Sequence, residues 1–465
     1  MIQVGSTNQQ AGGSRFVYIA AAISALGGML FGYDTGVISS AILFIKKQFM
    51  LSSTMEEIVL SSVLIGAVIG AVIGGRLTDR FGRRKCIIAT SIIFTVGALA
   101  GASMAQNVPW LIIGRIIIGV AIGIASFTVP LYISEVAPVK IRGKLVGFNQ
   151  LAVTVGIVVS YLVGYALSRF AWGWRGMFAC AAIPALILGL GMFHMPSSPR
   201  WLISRGFVDK AREVLKRIRG TDAIDDEVRD IQEGLKQQSG SLKELLSPLL
   251  KPALVVGIGL AISQQVTGIN TVIYYAPIIF QFAGFKSVSS AILATVGVGV
   301  VNVLMTIVGL HLVDRVGRRP LLLIGLAGMS LSLIALGMAF NMSTQSHMLG
   351  WIAAISLMCY VAFFAIGMGP VFWLLISEIY PLRIRGAAMS VATFFNWGFN
   401  LVIGITFLTL IKILGRPETF WLYGGLSIGT WFFVYFLVPE TKGRSLEEIE
   451  AHWQAGKHPR AMGKL

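Results

Sequence analysis

The chain has 465 residues, 55% hydrophobic side chains, 13% charged ones and a mean hydropathy of +0.77, which excludes a water-soluble domain of this size. Its net charge of +17 does not require a nucleic-acid partner, because basic residues in the cytosolic loops of a membrane protein produce the same excess. The composition predicts a protein of the lipid bilayer.

The predicted elements are apolar helices that cross the membrane. A hydrocarbon core about 30 Å thick requires roughly 20 helical residues per span, and the chain contains twelve charge-poor stretches of that kind. Residues 1–15 lack the features of a removable signal peptide, so the first span is expected to remain as an anchor. We expect the spans near residues 16–42, 57–76, 86–105, 109–133, 145–168, 176–195, 252–280, 289–313, 320–340, 350–376, 387–411 and 418–438.

The basic residues predict the orientation of these spans. If alternate loops are cytosolic, thirty of the 38 Lys and Arg residues fall on the cytosolic side. This asymmetry follows the positive-inside rule. It predicts that both the N-terminus and the C-terminus are cytosolic.

The first span contains an unusual charge. Asp34, in "FGYDTGVIS", is the one charged side chain between residues 16 and 45, and Arg115 is the lone cation of the fourth span. Each costs about 3 kcal/mol or more at the centre of a bilayer unless it is paired or hydrated. We therefore expect Asp34 and Arg115 to face one another.

The chain contains an internal repeat. "DRFGRRK" at Asp79 recurs as "DRVGRRP" at Asp314, and "SEVAPVKIRG" from Ser134 recurs as "SEIYPLRIRG" from Ser377. Each copy lies in the matching loop of a six-helix half. Two repeated halves joined by a connector are typical of secondary transporters with a site at the repeat interface.

The repeats and the polar segments divide the chain into five parts. Val228, Ile231 and Leu235 recur at helical spacing among charges, which favours short amphipathic helices in the connector, although a plain tether remains an alternative. The predicted parts are a cytosolic N-terminus (1–15), an N-terminal six-helix half (16–195), a cytosolic helical linker (196–250), a C-terminal six-helix half (251–438) and a cytosolic tail (439–465).

Amide and indole side chains recur inside the apolar stretches. Neutral amides both donate and accept hydrogen bonds, which suits hydroxyl groups, and tryptophan offers a flat face to a sugar ring. The alternative is that amides join helices and tryptophans pack or anchor. Gly268 is expected to loosen the seventh span beside two of these amides. The candidate binding residues are Gln150, Gln264, Gln265, Asn270, Asn302, Trp373, Asn396, Trp397 and Asn400.

The sequence offers little for enzyme chemistry. The Walker pattern of nucleotide-binding proteins is absent, and the five histidines are scattered along the chain. Cys86, Cys180 and Cys359 lie in apolar stretches without metal-site spacing and are predicted to be packing residues. We expect no enzyme activity, no cofactor and no metal.

The motifs together resemble the sugar porter family of the major facilitator superfamily. They are the doubled D-R-x-G-R-R, "SEVAPVKIRG" and "SEIYPLRIRG", "FNQ", "QQVTGIN", "GPVFW" and "PETKG", and the likeness runs from about Phe16 to Glu450. "FGYDTGVIS" and "FFNWGFN" are most similar to bacterial galactose, arabinose and xylose proton symporters. The resemblance implies the all-α major facilitator fold with twelve transmembrane helices.

The resemblance also implies roles for particular residues. Asp34 would bind the proton, and Arg115 would compensate the negative charge of Asp34. The residues that would contact the sugar are Gln150, Gln264, Gln265, Asn270, Asn302, Trp373 and Asn396. Cytosolic ion pairs would hold the outward-open state, although positive-inside topology alone explains basic residues there. The implied gate residues are Asp79, Arg83, Arg84, Glu135, Arg142, Asp314, Arg318, Arg319, Glu378, Arg385 and Glu440.

One position departs from the family pattern. The family usually has "PESPR" after the sixth span, whereas this chain has "PSSPR", with Ser197 in place of the acid. "PETKG" after the twelfth span keeps Glu440. An asymmetric cytosolic latch is therefore expected.

The sequence predicts a proton-coupled hexose or pentose symporter of a bacterial inner membrane, working as a monomer by alternating access. Its partners would be a neutral monosaccharide, a proton and the lipid bilayer, without nucleic acid. Three alternatives remain: an uncoupled facilitator, a polyol (inositol) symporter and a non-transporting sugar sensor. The acid Asp34 argues against an uncoupled facilitator, and the short C-terminal tail argues against a sugar sensor.

Overall fold

The computed structural model describes residues 15–138, 141–170, 172–236, 246–342, 347–381, 384–444, 446–456 and 459–463. Within these ranges, twelve helical segments are long and apolar enough to cross a membrane, which confirms the predicted spans and the all-α class. Nearly all of the predicted N-terminal segment 1–15 lies outside the described residues.

Among the described residues the helices follow one another in chain order, with a π-helical segment at Gly97–Ser103 and a 3-10 turn at Pro459–Gly463. Their bounds are α1 (Arg15–Phe49), α2 (Ser53–Phe81), α3 (Arg83–Val96), α4 (Val108–Val136), α5 (Arg142–Leu167), α6 (Gly173–Cys180), α7 (Ala182–Phe193), α8 (Pro199–Ser204), α9 (Val208–Arg219), α10 (Asp225–Lys236), α11 (Lys251–Val266), α12 (Ile269–Phe282), α13 (Val288–Val316), α14 (Arg318–Phe340), α15 (His347–Ile366), α16 (Met368–Glu378), α17 (Arg385–Leu414), α18 (Arg416–Leu437) and α19 (Leu446–Gln454).

Several spans differ from their predicted limits. Helix α1 continues to Phe49, beyond the predicted end at residue 42. The prediction stopped early because Lys46 and Lys47 end the apolar stretch, whereas the helix includes both lysines in its last turn. Helix α3 continues through the π-helical segment, and the pairs α6 with α7, α11 with α12 and α15 with α16 each form one span.

Helices α2 and α4 approach closely at glycine. A Cβ at Gly119 would lie 1.9 Å from the backbone oxygen of Val63, so only glycine permits this contact. One turn earlier, the same approach brings Arg115 of α4 against the carbonyl groups of Val59 and Leu60 on α2. A glycine contact between helices thus sets the position of the buried cation.

The connector between the halves forms α8, α9 and α10. Leu202, Leu215, Ile224 and Val228 make a small apolar core of their own, separate from the main core. Arg219 of α9 fastens this unit to the bundle, because its Nη1 donates to the backbone oxygen of Val136 at 2.9 Å. We call the end of the bundle that carries α8–α10 the linker face and the other end the opposite face.

The two halves contact each other at the opposite face. The Glu57 carboxylate of α2 accepts hydrogen bonds from the backbone nitrogen and hydroxyl of Thr409 on α17, at 2.8 and 2.7 Å. The hydroxyls of Ser168 and Ser289 lie 3.0 Å apart after α5 and at the start of α13. These contacts join the halves across the opposite face.

The cysteines do not all pack inside the bundle. Cys86 is buried and Cys180 is half-buried, as expected of packing residues. Cys359 is exposed, so the packing prediction is wrong for this residue. An apolar helix that faces lipid places apolar residues outward as well as inward, and hydropathy alone does not separate the two faces.

Candidate functional site

Asp34 and Arg115 form a buried ion pair inside the N-terminal half. Arg115 Nη1 lies 3.5 Å from Asp34 Oδ1, and their side chains are 0% and 3% exposed. The two charges therefore face one another, as the sequence indicated. Two charges at this depth are each more stable with the other present than alone.

The two partners are held with unequal strength. Arg115 Nε donates to the Val59 oxygen at 3.0 Å and Nη2 to the Leu60 oxygen at 3.2 Å, while its guanidinium lies 5.7 Å from the Phe178 ring centre. Asp34 Oδ2 has no hydrogen-bond partner among the described residues. Arg115 is thus bonded to α2, whereas no described residue forms a hydrogen bond with Asp34 Oδ2.

A small cavity borders Asp34 and reaches the C-terminal half. Its wall includes Phe31 and Thr35 of α1, but also Tyr274 of α12 and Trp397 of α17. The space suits a water molecule and is too small for a monosaccharide. The acid of one half therefore shares a cavity with aromatic residues of the other.

Four predicted binding residues form one hydrogen-bonded amide cluster in the C-terminal half. Asn396 Nδ2 donates to Gln264 Oε1 at 2.8 Å, and Gln265 Nε2 donates to the same oxygen at 3.3 Å. Asn270 Nδ2 donates to Gln265 Oε1 at 2.7 Å. Gln264 Nε2 in turn donates to the Met368 oxygen at 3.1 Å. The cluster joins α11, α12, α16 and α17 around Gln264.

Asn400 and Trp397 lie on α17 with Asn396 of the cluster and are each connected to the cavity. Tyr274 donates its hydroxyl to Asn400 Oδ1 at 3.4 Å. Trp397 packs against Phe31, with ring centres 5.2 Å apart, and its indole nitrogen has no partner among the described residues. Trp397 thus lines the Asp34 cavity directly, and Asn400 reaches it through Tyr274.

The other three predicted binding residues lie outside the hydrogen-bonded cluster. Asn302 is buried on α13, Gln150 is half-buried on α5, and Trp373 is half-buried on α16 with its ring against Phe372. Gln150 is the sole predicted binding residue from the N-terminal half. A ligand that contacted it would bridge the two halves.

Sequence reasoning missed Tyr274 as a site residue. It lines the Asp34 cavity and bonds to Asn400, so it joins the ion pair to the predicted binding residues. Its spacing held a signal, because Tyr274 follows Asn270 by four residues and so shares its helix face.

The predicted gate residues of the N-terminal half pair within that half. Arg83 Nε lies 3.0 Å from Glu135 Oε2, and Nη1 lies 3.2 Å from the exposed Asp79. Ser198 donates its hydroxyl to Glu135. Arg84 donates to the oxygens of Met192 and Phe193 at the end of α7.

The C-terminal half repeats this arrangement. Arg318 Nη2 lies 2.9 Å from Glu378 Oε1, and Nη1 lies 3.4 Å from Asp314. Thr441 donates to Glu378 Oε2 at 2.5 Å, and Arg319 donates to the Tyr435 oxygen at 2.8 Å. The ion pairs of Glu135 and Glu378 are thus formed inside their own halves.

Arg142 and Arg385 begin α5 and α17 on the linker face. Arg142 is exposed, and Arg385 donates to the Tyr380 oxygen at about 3.2 Å from Nη2. Both helices border the interface between the halves. Their predicted role in ion pairs of the outward-open state stays a prediction.

Glu440 caps a helix in a way that Ser197 cannot. Its carboxylate accepts the backbone N–H groups of Arg318 and Arg319 at 3.1 and 3.0 Å, at the N-terminus of α14. Helix α3 is the equivalent helix of the other half, and Ser197 supplies no carboxylate there. The departure noted in the sequence therefore removes a helix cap.

Ser197→Glu is expected to stabilise the protein, because a carboxylate near the N-terminus of α3 would interact favourably with its unpaired N–H groups. The gain should be about 0.3–1 kcal/mol, measured as a higher Tm in detergent than that of the neutral Ser197→Gln control. Equal Tm values for the two variants would contradict it. Bias toward an outward-open state, read from labelling of a cysteine on the opposite face, stays a separate prediction.

Two repeated six-helix halves, with a buried ion pair in the first and an amide cluster in the second, define a secondary membrane transporter. The chain belongs to the sugar (and other) transporter family, which it matches over residues 20–453. Members of this family are transporters and not enzymes, which confirms the predicted class.

The similar proteins cover nearly the whole chain. A D-xylose transporter of Levilactobacillus brevis is 45% identical over 95% of this chain and 96% of its own length. An arabinose-proton symporter of Bacillus subtilis is 41% identical over 94% of this chain and 95% of its own. The partially occluded, inward-open xylose transporter XylE from E. coli is 35% identical, covers 93% of this chain and 100% of its own, and has a TM-score of 0.82.

Proposed function

We propose that this chain is a proton-coupled symporter for a neutral hexose or pentose and works by alternating access. The observation that carries the proposal is the cavity beside Asp34, which Tyr274 and Trp397 of the other half also line. A proton on Asp34 would remove a negative charge at the border between the halves. The proposed proton site therefore lies next to residues of the other half, where a change in its charge could affect how the halves pack.

The amide cluster supports a neutral, polyhydroxylated substrate. Its donors and acceptors match sugar hydroxyl groups, and Trp397 offers an apolar ring face beside them. Similar proteins named as xylose, arabinose and galactose transporters support a hexose or a pentose. The proposed binding residues are the nine that the sequence indicated, with Tyr274 added.

We also propose that the linker face is cytosolic in a bacterial inner membrane and that one chain is the working unit. The excess of Lys and Arg in the loops of the linker face supports this orientation. Both halves of the proposed site come from the same chain, which supports a monomer. The halves touch at the opposite face, which in this orientation would correspond to a state closed toward the outside.

Uptake of radiolabelled xylose, arabinose and galactose into cells that express the chain tests this function. Accumulation above the external concentration that a protonophore abolishes is the expected result. Competition by a panel of unlabelled sugars and myo-inositol then identifies the preferred substrate. Saturable uptake that never exceeds equilibrium would favour a facilitator, and inositol as best competitor would favour the polyol symporter. Sugar binding without any uptake would favour a sensor.

Gln265→Ala and Asn270→Ala are each expected to raise the KM for sugar about five- to thirtyfold, because each removes a hydrogen-bonding group of about 1–2 kcal/mol. The two amides bond to each other, so the double variant should lose less than the product of the single losses. Labelled uptake at matched expression measures both effects. An unchanged KM in both single variants would return these amides to a packing role.

A further inference from the structure

The seventh span is interrupted between its two helices. Helix α11 ends at Val266 and α12 begins at Ile269, with Gly268 between them at φ 92°, a left-handed conformation that favours glycine. The expected loosening of this span at Gly268 is confirmed. Gln265 precedes the break and Asn270 follows it, so the geometry of the break sets the distance between these two amides.

A carbonyl group at a helix break inside the membrane needs another partner in place of its lost helical hydrogen bond. The Gln264 oxygen accepts the Thr267 hydroxyl at 3.2 Å, and the Gly268 oxygen accepts the Thr271 hydroxyl at 2.6 Å. The Thr267 oxygen accepts a hydroxyl from another span, that of Tyr360 on α15, at 2.8 Å. The first two bonds are local, and the third ties the break to its surroundings.

A second tyrosine packs at the same break without a hydrogen bond. Tyr423 of α18 places its ring against Gly268, where a Cβ would lie 3.0 Å from the ring. Its hydroxyl has no partner among the described residues, although Tyr360 and Tyr423 are both fully buried. Both tyrosines are buried beside the break, but only the Tyr360 hydroxyl forms a hydrogen bond to it, so comparing them distinguishes the effect of the hydrogen bond from that of ring packing.

We propose that Tyr360 is a positioning residue for the sugar site: its hydroxyl fixes the Thr267 carbonyl and thereby holds Gln265 and Asn270 at their working separation. This inference rests on the proposed function. The hydroxyl of Tyr360 bonds to the Thr267 oxygen and not to an amide of the cluster, so it acts through the backbone of the break. Its loss would let the Thr267 carbonyl turn and would loosen the Gln265–Asn270 pair.

The test compares Tyr360→Phe with Tyr423→Phe, each measured by labelled xylose uptake across a range of sugar concentrations. Tyr360→Phe removes a bonded hydroxyl and should raise KM about three- to tenfold with a smaller change in the maximal rate. Tyr423→Phe removes an unbonded hydroxyl and should leave KM within about twofold of the unchanged protein. An unchanged KM in Tyr360→Phe, with or without a lower Tm, overturns the proposal.

A double variant separates positioning from general loosening. If Tyr360 acts through Gln265, then Tyr360→Phe should add little to the KM of Gln265→Ala. Losses that multiply would overturn the proposed route. A wild-type chain that takes up none of xylose, arabinose and galactose would overturn the proposed function and this inference with it, whereas normal wild-type uptake and an unchanged Tyr360→Phe KM would overturn the inference alone.

Discussion

Cells that express the Asp34→Asn variant are expected to exchange sugar across the membrane but to accumulate none. Asparagine is permanently neutral, so it imitates the protonated carboxylate and leaves no site for a coupling proton. Asp34 is the partner of Arg115 at 3.5 Å and borders the cavity shared by the halves, which makes it the candidate acceptor. Sugar binding should persist, because the amide cluster lies in the other half.

The size of the loss follows from the energy of the proton. One charge crossing 100 mV supplies about 2.3 kcal/mol, which sustains roughly fiftyfold accumulation at about 1.36 kcal/mol per decade. Asp34→Asn should reduce this ratio to one and abolish sugar-induced alkalinisation of the medium. Asp209→Asn, on the exposed surface of α9, is the matched control and should behave as wild type. If Asp34→Asn cells still concentrate sugar in a protonophore-sensitive way, the coupling proton binds elsewhere.

Gln264→Ala is expected to weaken sugar binding more than the loss of any other amide in the cluster. Gln264 accepts from both Asn396 and Gln265 and donates to the Met368 oxygen, so its removal leaves Gln265 Nε2 and the Met368 oxygen without this partner, while Asn396 keeps its bond to the Ala261 oxygen. Each buried group left unpaired costs about 1–3 kcal/mol. We expect KM to rise by about a hundredfold or more.

Binding of labelled sugar to the purified protein, together with uptake, measures this loss. Gln281→Ala, at the end of α12 and outside the cluster, is the control for removing a glutamine from the same span. A Gln264→Ala variant with the KM of Gln265→Ala would show that Gln264 has no central place in the cluster. Loss of protein from the membrane in Gln264→Ala alone would assign the residue to folding.

Much of the fold could be predicted from the sequence, since each span must satisfy the same bilayer thickness and most spans are bounded by charge. The Asp34–Arg115 pair could be predicted for a related reason, because two isolated charges at that depth are costly unless they meet. The amide cluster was predicted as a set of residue types. Its centre at Gln264 depends on distances between α11, α16 and α17, which no local pattern encodes.

Glu57 shows where sequence reasoning fails. The predicted second span begins at residue 57, which placed this acid at a loop end, whereas α2 begins at Ser53 and buries it. Its partner Thr409 lies in the eleventh span of the other half. A contact between the two halves depends on which conformation the halves adopt. The same sequence is compatible with every conformation of the transport cycle, so it does not predict this contact.

The unequal anchoring of the ion pair has an electrical consequence. Arg115 would keep its positive charge and its bonds to the Val59 and Leu60 oxygens when Asp34 takes up a proton, because arginine side chains stay charged in proteins. The Asp34–Arg115 pair would then carry one net positive charge in the loaded protein and none in the empty protein. An inside-negative voltage would drive the loaded crossing inward and leave the empty return unaffected, so voltage would accelerate one half of the cycle alone.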